Sequence, residues 1–245
     1  MKFSISNIDL FNNIFEICKQ YSENIKIYIC SNGLHIQTSD DANIAIIDIK
    51  LNASYFDTFL CEQEVIIDFS LKEICKILKI CKKSKSITHF VLDENILKIS
   101  VLVDNIKKTF KLNSIYTNYD LIDINTINID NSFTIDSKVL KSIFDDFIIF
   151  SNEITIKINN SDLYFYSNDC STDIKYHYNT QSTNNTITNN ISVESSFSLD
   201  YLHKFKLCSY FDINVIKLDN NTPIFLSIEN NRDLEINFIL APKMT

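Results

Sequence analysis

A pattern near the start of this chain returns 129 residues later. Phe11, Ile14, Phe15 and Cys18 form a helical stripe, and Leu140, Ile143, Phe144 and Phe147 reproduce it at a constant offset. Residues 26–49 (KIYICSNGLHIQTSDDANIAIIDI) are answered by residues 153–178 (EITIKINNSDLYFYSNDCSTDIKYHY), with Leu163 and Phe165 in the places of Leu34 and Ile36. A helix-like segment follows each copy, one starting at Leu71 and the other at Leu199. A period this long indicates a duplicated domain rather than a short-repeat solenoid. Two like units in one chain favour a closed, pseudo-symmetric assembly.

The rest of the pattern predicts an α+β fold in each copy. Residues 7–21 place Ile8, Phe11, Ile14, Phe15 and Cys18 at helical spacing. Residues 25–30, 34–38 and 43–51 read as strands, with Asn32-Gly33 as the first turn. After a strand at 65–69, Ser70 and Glu73 suggest a capping box for a helix over 71–83, followed by antiparallel strands at 87–92, 96–103 and 106–112. The second copy repeats helix, strands, helix, strands, which predicts two helices and eight or nine strands per copy. The domains are then 1–115 and 132–245, joined by a linker at 116–131 that lacks helical period and runs over the surface. Residues 179–190 (NTQSTNNTITNN) read as a polar low-complexity loop.

Composition narrows the chemistry. The chain has one glycine (Gly33), so it cannot build a glycine-rich phosphate loop. Its four histidines stand apart from one another, and no metalloprotease or nucleophile-elbow motif accompanies them. The seven cysteines form no CxxC pair and read as buried free thiols rather than a zinc or disulfide framework. No catalytic residue, metal or cofactor is predicted. No run of 18 apolar residues occurs, and the polar start lacks a signal-peptide core, so an intracellular protein with no membrane partner is expected. A net charge of −8 argues against indiscriminate nucleic-acid binding, yet the lysines are not evenly spread. Lys72, Lys76, Lys79 and Lys83 share one face of the helix at 71–83, opposite Leu71, Ile74, Cys75 and Leu78.

Four ordered segments carry a resemblance: 31–40 (SNGLHIQTSD), 55–59 (YFDTF) with Cys61, 75–79 (CKILK), and the tail 238–243 (FILAPK). Together with the duplication, they resemble the proliferating cell nuclear antigen family of DNA sliding clamps. The resemblance implies a homotrimeric head-to-tail ring whose helices line a hole around duplex DNA, working in a nucleus or at a cytoplasmic viral replication site. DNA would be met at its phosphates by Lys19, Lys72, Lys76, Lys79, Lys83, Lys138, Lys141, His203, Lys204 and Lys206. Asn12 and Asn13 stand where the family commonly has lysines.

Two strands, at 106–112 and 172–178, would be open edges in a lone subunit, and joining them between subunits closes the ring. The residues expected there are Ile106, Lys108, Phe110, Leu112, Ile174, Tyr176 and Tyr178. The resemblance further implies a pocket beneath the linker for a partner motif of glutamine, an aliphatic residue and two aromatics, borne by polymerase, clamp loader, nuclease or ligase. Its walls would be Asn43, Ile44, Ile46, Leu121, Ile122, Ile124, Pro223, Ile239, Ala241 and Pro242. Asn160 stands where eukaryotic members carry a modifiable lysine. The alternative is a divergent clamp-fold transcription or assembly factor that no longer encircles DNA.

Overall fold

The computed structural model describes residues 1–84, 86–117, 121–127, 129, 131–159, 162–167, 172–179, 192–205, 213–220, 222–230 and 233–243. It divides into two compact units. Unit 1 comprises Met1–Ala42, Ile47–Ile122 and Asn230–Ile236; unit 2 comprises Asn43–Ile46, Asp123–Glu229 and Asn237–Thr245. No helix among the described residues is long and apolar enough to cross a membrane.

Unit 1 is built from β1 (Lys2–Ile5), α1 (Ile8–Cys18), β2 (Asn24–Cys30), β3 (Gly33–Ser39), β4 (Ala45–Asn52), β5 (Thr58–Leu60), β6 (Val65–Ser70), α2 (Leu71–Cys81), β7 (Thr88–Asp93), β8 (Ile96–Val103) and β9 (Ile106–Asn113). Its strands run in the orders β5-β1-β7-β8-β9 and β4-β3-β2-β6. Unit 2 holds β10 (Ser132–Asp136), α3 (Ser137–Phe147), β11 (Glu153–Asn159), β12 (Asp162–Ser167), β13 (Ile174–Asn179), β14 (Val193–Ser198), α4 (Leu199–Lys204), β15 (Ile213–Lys217), β16 (Ile224–Asn230) up to Glu229, and β17 (Leu234–Leu240) from Asn237 on. There the orders are β10-β15-β16-β17 and β13-β12-β11-β14.

The repeat is exact at the level of register. Ile27 faces Ile36 and Ile29 faces Leu34 across β2 and β3. The same offset places Ile156 opposite Phe165 and Ile158 opposite Leu163 across β11 and β12. A one-residue slip would turn both apolar sets to solvent, so core burial enforces this register. Helix starts repeat as well: the Leu71 amide donates to the Glu23 carbonyl at 2.9 Å, and the Leu199 amide to Asn152 at 3.0 Å. The expected capping box does not form. Ser70 occupies the N-cap position without a side-chain bond, and Glu73 turns to Lys76 at 2.7 Å. Asp136 does cap α3, accepting from the Lys138 and Val139 amides.

The helices bury the stripes that their spacing predicts. Phe11, Ile14, Phe15 and Cys18 of α1, and Leu71, Ile74, Cys75 and Leu78 of α2, are all buried. Phe3 stacks on Phe90 with centroids 4.4 Å apart, and Phe56 meets Phe3 edge-on at 4.9 Å. Each such ring contributes roughly 1.5–3 kcal/mol by leaving water. Strands β1 and β5 have four and three residues, too short to show an alternating pattern in sequence. Asn12 is buried, so it faces the core rather than a DNA-facing surface.

Turns are made almost without glycine. Asp104 and Asn105 take φ values of 50° and 61° between β8 and β9, a conformation that Asp and Asn tolerate in tight hairpins. The first hairpin differs from expectation: Cys30 pairs with Gly33, so Ser31 and Asn32 form the turn and Gly33 opens β3. Gly33 has φ of 142°, and a Cβ there would lie 2.0 Å from the Leu51 carbonyl oxygen. Only glycine fits.

Candidate functional site

Three surfaces gather the residues singled out above. On α2, Lys72, Lys76 and Lys79 are exposed, and Lys83 is exposed just past the helix end. Lys19 is exposed at the end of α1. The face is less uniformly positive than the α2 sequence suggests, because α1 contributes carboxylates. Lys79 pairs with Glu16 at 3.2 Å and Lys82 with Asp9 at 3.4 Å. Lys76 holds the Glu73 carboxyl below the usual carboxylate range through its hydrogen bond. Lys82 was missed in sequence, although it lies three residues beyond Lys79. Among the described residues, Lys72 and Lys83 are in no ion pair.

In unit 2, Lys138 and Lys141 are exposed on α3, and Lys204 on α4 lies 5.7 Å from the Tyr201 ring centroid. His203 faces Asp145 at 3.1 Å. Lys206 and Asn160, like residues 180–190 of the expected polar loop, lie outside the described residues.

The second surface is a cluster within unit 2. Ile124, Phe225 and Ile239 are buried together, with Ile46, Ile127 and Ile129 packed against them. Three residues expected to share a pocket, Ile46, Ile124 and Ile239, are thereby in contact with one apolar cluster. Phe225, Ile127 and Ile129 were not foreseen; the signal for the two isoleucines was their recurrence with Ile124 among polar residues of the linker, and Phe225 gave none. The linker is not wholly a surface strand, since Ile124–Thr126 forms a 3-10 turn and Ile124 is buried. Ile44 is 40% exposed, and its carbonyl accepts from the Ala241 amide at 2.9 Å. It precedes β4 rather than lying in it, and Asn43 beside it adopts φ of 54°. Pro223, Ala241 and Pro242 are half-buried, while Leu121 and Ile122 belong to unit 1.

The third surface consists of strand edges. β9 ends one sheet order in unit 1 and β13 ends one in unit 2. On β9, Ile106 is 60% exposed, Lys108 and Phe110 are half-buried, and Leu112 is buried, so Leu112 offers only its backbone to an edge partner. On β13, Ile174 and Tyr178 are half-buried, and Tyr176 lies edge-on to Phe147 at 5.1 Å. A groove of about 570 Å³ runs between α3 and β13, with Val139, Ile143, Tyr176 and Tyr178 among its walls. Lys138, assigned from sequence to the DNA face, lines this groove.

The five described cysteines, Cys18, Cys30, Cys61, Cys75 and Cys81, are free, and Cys170 and Cys208 lie outside the described residues. Burial pushes the Cys18 thiol far up, Cys75 to about 12 and Cys81 to about 11. Cys30 and Cys61 depart from the expected burial and are half-exposed. Since the thiolate is the reacting form, alkylation at pH 8 followed by peptide mass analysis is expected to modify Cys30 and Cys61 before Cys18, Cys75 or Cys81. No cluster of three or more metal-ligating side chains occurs among the described residues.

Residues 1–133 match the family model for the N-terminal domain of proliferating cell nuclear antigen. The chain is 23% identical over 248 residues to a DNA polymerase sliding clamp of Methanothermobacter thermautotrophicus, covering 99% of this chain and 98% of that one. It is 22% identical to a probable DNA polymerase sliding clamp of Paramecium bursaria Chlorella virus 1, covering 96% and 93%. Its fold matches a structure of the PCNA2-PCNA3 complex of Sulfolobus tokodaii with a TM-score of 0.86 at 22% identity, covering 99% of both chains.

Proposed function

The chain belongs to the proliferating cell nuclear antigen family, and from that membership we propose that it is a DNA sliding clamp, a non-catalytic ring that tethers replication and repair enzymes to duplex DNA. The observation that carries the reading is the pairing of two features. A strand stands at the end of a sheet order in each unit, β9 in unit 1 and β13 in unit 2, and each unit carries helices with exposed lysines. Main-chain groups at an open edge seek a partner strand. Joining β9 of one copy to β13 of the next is a heterologous contact, and three such contacts close a homotrimer. The apolar groove beside β13 gives that contact a buried core.

Inside the ring, lysines of α1 to α4 meet phosphates, which carry no sequence information and allow the ring to move along DNA. The cluster around Ile124, Phe225 and Ile239, with the exposed Ile44 two residues from Ile46 that packs against it, receives the apolar residues of partner motifs on a polymerase, loader, nuclease or ligase. The ring works where the genome is copied, in a nucleus or at a viral replication site.

Light scattering at micromolar concentration is expected to report a trimer, and polymerase run length is expected to rise when the protein and an ATP-driven loader are added. A monomer would sink the ring. One observation favours the second reading, a clamp-fold transcription or assembly factor without DNA encirclement: Lys76, Lys79 and Lys82 are already paired with carboxylates. A trimer that leaves run length unchanged would establish that reading instead.

A further inference from the structure

One polar contact in unit 1 joins a buried side chain to the main chain of the linker. Gln37 is 2% exposed on β3, and its side-chain amide engages both backbone groups of a single linker residue. The Ile122 amide donates to Gln37 Oε1 at 2.7 Å, and Gln37 Nε2 donates to the Ile122 carbonyl at 2.9 Å. This is a ladder rung made by a side chain. The second proton on Nε2 goes to Asp48 Oδ1 at 2.8 Å, and the same oxygen meets His35 Nε2 at 2.6 Å. Asp48 is fully buried.

The arrangement has one sense only. A flipped Gln37 amide would set its oxygen against the Asp48 carboxylate and the Ile122 carbonyl, and its NH2 against the Ile122 amide. Every contact would then join like to like. The acceptor-only carboxylate therefore fixes the amide, and the amide fixes Ile122. A second restraint lies five residues earlier, where the Thr117 amide donates to Asp68 at 2.9 Å.

The duplication supplies a control within the molecule. At the same offset, His35, Gln37 and Asp48 correspond to Tyr164, Tyr166 and His177. Those residues do something else: Tyr164 stacks on His177 with centroids 4.6 Å apart, and the Tyr166 hydroxyl donates to Glu194. The sheet register does not require an amide at this position, so its presence in unit 1 answers to the linker.

We propose that Gln37 is a positioning residue for partner recruitment, with Asp48 orienting it: by holding both backbone groups of Ile122, it presents Ile124, two residues on, to the apolar cluster that receives the partner motif. The inference rests on the recruitment reading above. A linker held in advance spares the partner the entropy of ordering it, and affinity rises accordingly. Without Gln37, the linker samples conformations that must be lost again on binding.

The test uses the full chain and a synthetic peptide carrying glutamine, an aliphatic residue and two aromatics. Gln37→Met keeps the length and removes both bonds. Gln37→Glu keeps an acceptor for the Ile122 amide but sets a second carboxylate against Asp48. Hydrogen exchange at the Ile122 amide is expected to quicken at least tenfold in both, and peptide affinity to fall about tenfold in Gln37→Met and further in Gln37→Glu. Trimer mass and exchange in the helices should stay as in the wild type. Ile44→Asp serves as the pocket control. Unchanged exchange at Ile122, or peptide affinity within twofold of wild type in Gln37→Met while Ile44→Asp loses binding, would overturn the positioning role. Wild-type affinity in all three variants would remove the pocket reading, and the role of Gln37 with it.

Discussion

Reversing the charge at Lys72, Lys76, Lys79 and Lys83 together is expected to flatten the salt dependence of DNA binding by about 2–4 units on a log–log plot, while trimer mass is unchanged. Each phosphate contact contributes about 0.9 of a unit through counterion release. All four side chains are exposed, so the substitution does not touch the core that α2 buries through Leu71, Ile74, Cys75 and Leu78. The wild-type slope is itself expected to be shallow, because Glu73, Glu16 and Asp9 already neutralise part of this face. At about 0.1 M salt, a loss of two to four contacts corresponds to roughly 10²–10⁴ in affinity. Binding measured across a salt series, with wild type and variant side by side, decides the matter: equal slopes would place DNA elsewhere on the molecule.

Ile44→Asp is expected to weaken binding of a partner-motif peptide by tens- to several hundred-fold and to leave the ring and its DNA binding intact. Ile44 is 40% exposed in the free protein, so a carboxylate there is hydrated and folding is little affected. Binding of an apolar plug would strip that hydration, at a cost of roughly 2–4 kcal/mol. Ile239 is 3% exposed, and the same change there would bury a charge in the free protein and confuse recruitment with stability. Fluorescence titration of the labelled peptide onto a variant of confirmed trimer mass gives the answer. An unaltered dissociation constant would mean that partners dock on another surface.

The duplication was legible because apolar periodicity is local, and the matching registers of β2 with β3 and β11 with β12 show how far that signal reaches. The lysine stripe of α2 was legible for the same reason. Its neutralisation was not: Glu16 and Asp9 reach Lys79 and Lys82 from another helix, and only the fold brings them together. Gln37 was silent too. A glutamine in an alternating strand reads as a solvent-facing residue, and it is buried here because the linker returns over it from 85 residues away. Ser70 shows the opposite failure, a local signal that did not operate: its side chain makes no cap bond, and the Glu73 carboxylate that would complete the box takes Lys76 instead.

The paired lysines also bear on friction. On the proposed reading, a phosphate arriving at Lys76 or Lys79 displaces a carboxylate rather than filling an empty place, and the carboxylate returns when the phosphate leaves. Exposed pairs of this kind differ in free energy by about RT or less from their solvated states. The potential felt by DNA as it advances base pair by base pair is then nearly flat, with neither deep wells at each phosphate nor barriers between them. Motion along the duplex would be limited by hydrodynamic drag rather than by escape from successive contacts, and its diffusion coefficient should change little with ionic strength.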